Sequence, residues 1–226
     1  MASANAAIKG DQDPAPPALL PVAPGIFVHV TATDGAPASN GLLVVGHDGA
    51  LLVDIAATTA ETRRLIDAVE RLTRGAPLQV YVTEARPERL GGLAVVHERG
   101  LRSLGHETTL AAAMARGLPL PRSGWNGETL AFEVGARQIE AFHPGAALTR
   151  GNTVVYVGDA DLLHGGSLIG GDDDVAAALT ATRARFGAPA IVIPGRGAPG
   201  DHRLLSHPAH HPGEGRDRPP KSTPCR

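Results

Sequence analysis

Residues 78–92, Leu-Gln-Val-Tyr-Val-Thr-Glu-Ala-Arg-Pro-Glu-Arg-Leu-Gly-Gly, change character halfway. Val80, Tyr81 and Val82 are β-formers in a short apolar run and predict a strand. Pro87 suits a first helical turn, and the apolar spacing from Leu90 predicts a helix running to Arg99. The junction between them holds Glu84, Arg86, Glu88 and Arg89. In open α/β folds the carboxyl ends of strands are where ligands bind. Charges crowded there and withdrawn from solvent persist only when they are paired.

The pattern on either side of this stretch repeats itself. Residues 26–31 predict a strand. Residues 41–45 and 50–55 predict two more, joined by the turn His47-Asp48-Gly49. Thr58 and Glu61 form a capping box ahead of a helix that carries Leu65, Ile66, Val69 and Leu72 on one face and stops at Gly75. After the central strand and helix, residues 108–116 predict a short Ala-rich helix ended by Gly117 and Pro119. Residues 129–133 pair with 137–142 across Gly135, and 152–157 with 162–164 across Gly158-Asp159. Asp172, Asp173 and Asp174 are expected to cap a helix over 175–186, and 190–193 form a last buried strand. Each half therefore runs hairpins first, then a helix and a single strand. This mixture predicts an α/β fold of two mixed β-sheets packed face to face with helices outside, an αββα sandwich.

The domain is expected to occupy residues 23–207, with a Pro- and Ala-rich disordered segment over 1–22 and a disordered tail over 208–226. Aromatic residues make up only 3% of the chain, so its core must be aliphatic. A formal charge of −2 gives no basis for a nucleic-acid or membrane-surface partner. No apolar run reaches membrane-spanning length. Prolines at 14, 16, 17, 21 and 24 interrupt any secretory signal, so the expectation is a cytoplasmic monomer, or a periplasmic one if a leader has been removed. The single cysteine, Cys225, excludes a disulfide within the chain.

Thr83-Glu84-Ala85-Arg86-Pro87-Glu88-Arg89-Leu90-Gly91-Gly92 resembles the zinc-binding segment of class B (metallo) β-lactamases, Thr-His-x-His-x-Asp-Arg-x-Gly-Gly. The frame is in register, but Glu84 and Arg86 stand at the two histidine positions and Glu88 at the aspartate. Further likenesses follow in order. Ser39 to Val45 resembles the family's second strand and Leu52-Val53-Asp54 its third. His143-Pro144-Gly145-Ala146-Ala147-Leu148-Thr149-Arg150-Gly151-Asn152 resembles Tyr-Pro-Gly-x-Gly-His-Thr-x-Asp-Asn, with Leu148 at the third histidine. Leu163 to Ile169 resembles Gly-Gly-Cys-Leu-Val, with Ser167 at the cysteine. Pro194-Gly195-Arg196-Gly197 resembles Pro-Gly-His-Gly, with Arg196 at the last histidine.

The resemblance implies the αββα fold and a site at one edge between the two halves, equivalent to Glu84, Arg86, Glu88, Leu148, Ser167 and Arg196. It also implies zinc in the family, while the ligand set here does not supply it. Leucine has no donor atom, and arginine stays protonated and repels a dication. The expected cofactor is therefore none. The position of the lysine that in many members meets the substrate carboxylate falls near Gly170, so the resemblance implies that this lysine is absent too. The implied function is a class B β-lactamase-like protein without the zinc ligands, a non-hydrolytic pseudoenzyme; the alternative is a β-lactamase-like hydrolase with a rebuilt or metal-free site.

Two uses of the charges stay open. In one, Arg86 pairs with Glu84 as its neighbour on an extended segment, and Arg196 with Glu88. In the other, Arg86, Arg89, Arg196 and Asn152 bind a small anionic molecule. Ser167 is read as a small residue in place of the cysteine rather than a nucleophile. His143 and His164 flank the site as candidate bases or as hydrogen-bonded strand-end residues. His207, His210 and His211 are read as part of a solvated tail.

Overall fold

The strands β3 (Ser39–Val45) and β4 (Ala50–Val53) carry apolar side chains on both faces, and both faces are covered. Leu42, Val44, Leu51 and Val53 point into one apolar layer, while Leu43, Ala50 and Leu52 point into another. Strands buried on two sides lose the apolar–polar alternation of a half-exposed strand, which is why these read as continuous runs. The computed structural model describes residues 17–31, 38–169 and 175–206. The expectations placed on Gly170, Asp172–Asp174, Cys225 and the tail histidines lie outside those residues.

The first sheet has the order β1 (Ala18–Ala23), β2 (Ile26–Thr31), β3, β4, β5 (Leu78–Val82), β6 (Arg102–His106), β7 (Ser123–Trp125). Its first four strands pair antiparallel and the rest add in parallel. The second sheet has the order β12 (Ile191–Pro194), β11 (Leu162–Gly166), β10 (Val154–Val157), β9 (Arg137–Phe142), β8 (Thr129–Val134), and its pairs are antiparallel except β11 with β12. Between the sheets lie Ile26, Val28, Leu42, Tyr81, Ile139, Val155, Leu162 and Ile193. Outside the first sheet, α1 (Thr59–Thr73), α3 (Leu93–Glu98) and α4 (Glu107–Ala115) bury Leu65, Ile66, Val69, Leu93, Val96 and Ala113. Outside the second, α5 (Ala176–Phe186) buries Ala178 and Leu179 over Phe142, Leu163 and Val192. The architecture is the expected αββα sandwich of two mixed sheets. No helix among the described residues is long and apolar enough to cross a membrane.

Local signals were accurate where they rested on capping and turns. Thr58 Oγ1 accepts from the Glu61 N–H, 3.2 Å away, and opens α1. Three features depart from expectation. The domain begins earlier than residue 23, because Ala18–Ala23 forms edge strand β1; Pro21 is tolerated there since an edge strand leaves some N–H positions unpaired. The helix expected from Leu90 to Arg99 is two, α2 (Pro87–Leu90) and α3. Gly91 and Gly92 form the turn between them, and a Cβ on Gly91 would sit 2.1 Å from the Ala57 carbonyl oxygen, so only glycine lets the chain pass this close to the segment leading into α1. Strands β6 and β7 carry little β signal. Ser103 of β6 accepts from the Arg122 N–H at 2.9 Å and bonds His97 Nε2 at 2.9 Å, so polar tertiary contacts replace the missing apolar pattern.

Candidate functional site

The site lies at the carboxyl end of β4 and β5, where loops from both sheets meet. Its floor is Asp54, fully buried and held in the left-handed region at φ 61°. Asparagine and aspartate enter that region more readily than other non-glycine residues. Asp54 accepts from the Thr83 N–H at 2.8 Å and from Thr83 Oγ1 at 2.8 and 3.0 Å. Burial alone would push its carboxyl up. The Arg89 guanidinium, His164 and the Thr83 N–H outweigh that and hold it below its usual range.

Arg89 is the buried hub. Its Nε donates to Glu84 Oε1 at 3.3 Å, its Nη1 donates to the Asn40 carbonyl and lies 3.4 Å from Asp54 Oδ2, and its Nη2 donates to the Gly195 carbonyl at 3.4 Å. A Cβ on Gly195 would come within 2.5 Å of Arg89 Nη2, so only glycine lets that loop lie on the guanidinium. Asn40 completes the clasp, donating Nδ2 to the Pro194 and Gly197 carbonyls at 2.9 and 2.8 Å.

Glu84 is fully buried and its oxygens are taken. Oε1 accepts from Arg89 and from Ser167 Oγ, and Oε2 accepts from Asn152 Nδ2 at 3.0 Å. Asn152 Oδ1 in turn accepts from Thr149 N–H and Oγ1. At the rim, Glu88 Oε1 faces two guanidiniums, Arg86 Nη1 at 3.5 Å and Arg196 Nη2 at 3.2 Å. Three arginines thus meet three carboxylates: Arg89 with Asp54 and Glu84 inside, Arg86 and Arg196 with Glu88 at the rim.

Of the residues picked out in the sequence, Glu84, Ser167, Asn152 and Arg89 form one connected set, and Arg86, Glu88 and Arg196 another. The expected pair Glu84–Arg86 does not form. The backbone bends at Glu84–Ala85, with Arg86 N–H donating to the Glu84 carbonyl at 3.0 Å, so the alternation of an extended strand does not apply. Glu84 turns inward to Arg89 while Arg86 stays at the rim. Leu148 does not join the charges; it packs against the apolar cluster beneath α5. Arg89 and Asn152, expected among ligand-binding residues, are buried, and their polar groups bond to the protein.

His164 is sealed from solvent, with Nε2 3.5 Å from Asp54 Oδ2, and a substrate could not reach it. His143 is half-buried, donates Nδ1–H to the Asn152 carbonyl at 2.8 Å and stacks on His106 at 4.3 Å. His29, on β2, donates Nε2–H to the Val53 carbonyl at 3.1 Å; burial pushes it down to about 4, against the opposing pull of that bond and Asp54. His164 was already expected to flank the site, whereas Asp54 and Asn40 were not recognised as site residues from sequence. Their signal was the resemblance of their segments to the family strands, which carried no assigned role.

Zinc does not suit this donor set. The carboxylates at the ligand-equivalent positions already accept from guanidinium, amide and hydroxyl groups, and the site's charges cancel without a metal. Among the described residues, no group of three or more His, Cys, Asp or Glu converges as a metal site would.

The type 2 metallo-β-lactamase of Bacillus cereus is 30% identical to this chain over 184 residues, spanning 75% of this chain and 71% of that one. The type 2 metallo-β-lactamase of Bacteroides fragilis is 25% identical over 186 residues, 76% and 74% of the two chains. Among solved structures, a metallo-β-lactamase from Pontibacter korlensis matches with a TM-score of 0.78 at 24% identity, covering 84% of this chain and 95% of that one. One from Hirschia baltica matches with a TM-score of 0.75 at 25% identity, covering 85% and 95%. No protein-family model matches the chain.

Proposed function

This chain belongs to the metallo-β-lactamase family, on its class B-like side, and from that premise we propose that it is a non-hydrolytic member working without zinc. The observation that carries the proposal is Glu88 Oε1 held between Arg86 and Arg196. These are three positions that the resemblance equates with zinc ligands, and here they satisfy one another. A dication placed among them would meet two guanidiniums that cannot deprotonate. Glu84, at a fourth such position, is committed to Arg89, Asn152 and Ser167.

The alternative, a metal-free hydrolase, has one observation in its favour: Ser167 Oγ donates to Glu84 Oε1. A hydroxyl on a carboxylate is the start of a nucleophile–base pair. That carboxylate, however, is buried and already accepts from Arg89 and Asn152, so the contact is better explained as Ser167 satisfying Glu84. This supports the non-hydrolytic proposal over its rival.

The test is metal content, thermal midpoint and β-lactam ring opening, measured on the full chain after chelation and again after zinc is added. The expected result is no stoichiometric zinc, no shift and no zinc-dependent rate. One zinc per chain that survives removal of the segment bearing His207, His210 and His211, and is lost in Glu84→Ala, would overturn the proposal. So would metal-free ring opening that Ser167→Ala abolishes.

A further inference from the structure

We infer that Glu88 is the internal occupant of a two-arginine site for a small tetrahedral oxyanion, inorganic phosphate or a phosphomonoester. The inference deepens the function proposed above and rests on it, because a zinc-filled site would leave no such pair of cations.

Arg86 and Arg196 come from different loops and approach one and the same oxygen, at 3.5 and 3.2 Å. Both distances exceed the 2.7–2.9 Å or so of a strong charge-assisted bond. Each guanidinium has five N–H donors, and among the described residues Glu88 Oε1 is the one side-chain partner of either. Glu88 meets both guanidiniums through a single oxygen and one N–H group of each, so neither fork is engaged by two parallel bonds. A tetrahedral oxyanion can engage both, because its oxygens span several edges. A carboxylate ligand would merely repeat what Glu88 does already.

Charge and access agree with this geometry. The side chains of Arg86, Glu88 and Arg196 keep 34, 25 and 39% of their surface in water, so Glu88 can swing outward without disturbing the core. Two guanidiniums then face a dianion with equal and opposite charge, while Arg89 stays with Asp54 and Glu84 beneath. The loop bearing Arg196 is already fixed, by Asn40 Nδ2 on the Pro194 and Gly197 carbonyls and by Arg89 on the Gly195 carbonyl. A cation on a fixed loop loses little further freedom on binding.

The experiment is a phosphate titration of the full chain in excess chelator at constant ionic strength, followed by thermal midpoint, with chloride and acetate in parallel. The wild-type chain should show a saturable rise with phosphate and none with acetate. Glu88→Gln, which removes the competing carboxylate, should lower the apparent Kd about tenfold. Arg86→Met and Arg196→Met should each abolish the response. Arg86→Lys, which keeps the charge and loses the fork, should weaken it about tenfold or more and guards against a variant that simply fails to fold. No saturable response in Glu88→Gln, a response surviving in the double arginine variant, or acetate acting as well as phosphate would overturn the inference. A zinc-free chain that ignores phosphate overturns this inference alone; phosphate binding that appears only after zinc is restored overturns the proposed function.

Discussion

Arg89 Nε and Glu84 Oε1 are joined at 3.3 Å with both side chains sealed from water, and Asp54 lies 3.4 Å from the same guanidinium. Removing Arg89 would strand two buried carboxylates. Breaking one side of a buried pair costs about 3–5 kcal/mol. Arg89→Met should therefore lower stability by at least that much, read from urea midpoints. Adding Glu84→Gln should recover only part of the loss, because Asp54 still lacks its cation. Full recovery would show that Asp54 does not depend on Arg89.

Arg86 should behave in the opposite way. It meets Glu88 at 3.5 Å with about a third of its side chain in water, and exposed pairs contribute roughly 0–1 kcal/mol. Arg86→Met should shift the urea midpoint by no more than this, and its combination with Glu84→Gln should show no coupling. A loss of several kcal/mol, restored by Glu84→Gln, would reinstate the pairing first expected from the sequence.

His29 sets a pH dependence. Its imidazole falls from an ordinary 6.5 to about 4 in the folded chain, so between those values the unfolded state binds the extra proton. Stability is complete above about pH 6.5 and declines as pH falls toward 4. The decline is about 3 kcal/mol, taking roughly 1.4 kcal/mol for each unit of pKa. His29→Gln should flatten this part of the stability–pH curve, measured by urea unfolding between pH 4 and 7. An unchanged slope in the variant would assign the dependence to another group.

The sandwich was legible because its evidence is local. Capping at Thr58, the turn at Gly135 and the doubly apolar runs of β3 and β4 each follow from short-range chemistry. Strands β6 and β7 were not legible, since Ser103 and Gly105 owe their place to neighbours distant in sequence. At the site, residue identities could be read but their partners could not. Glu84 and Arg86 are two apart, and whether they share a face depended on a bend at Ala85 that no propensity signals. Nor was the partner of Arg89 legible in full: besides Glu84 it meets Asp54, an acid at the end of a different strand.

The clasp made by Asn40 also has a kinetic side. Its side-chain bonds to Pro194 and Gly197 close loops of 154 and 157 residues. Contacts so far apart in sequence cannot reward the chain until most of it is already ordered, because the entropy of closing the loop comes first. The charged site should therefore be assembled late in folding, after α1 and the hairpins. In pulse-labelled hydrogen exchange during refolding, the amide of Asn40, bonded to the Gly195 carbonyl at 2.9 Å, should gain protection later than those of α1. Simultaneous protection would mean that the two halves dock before either is complete.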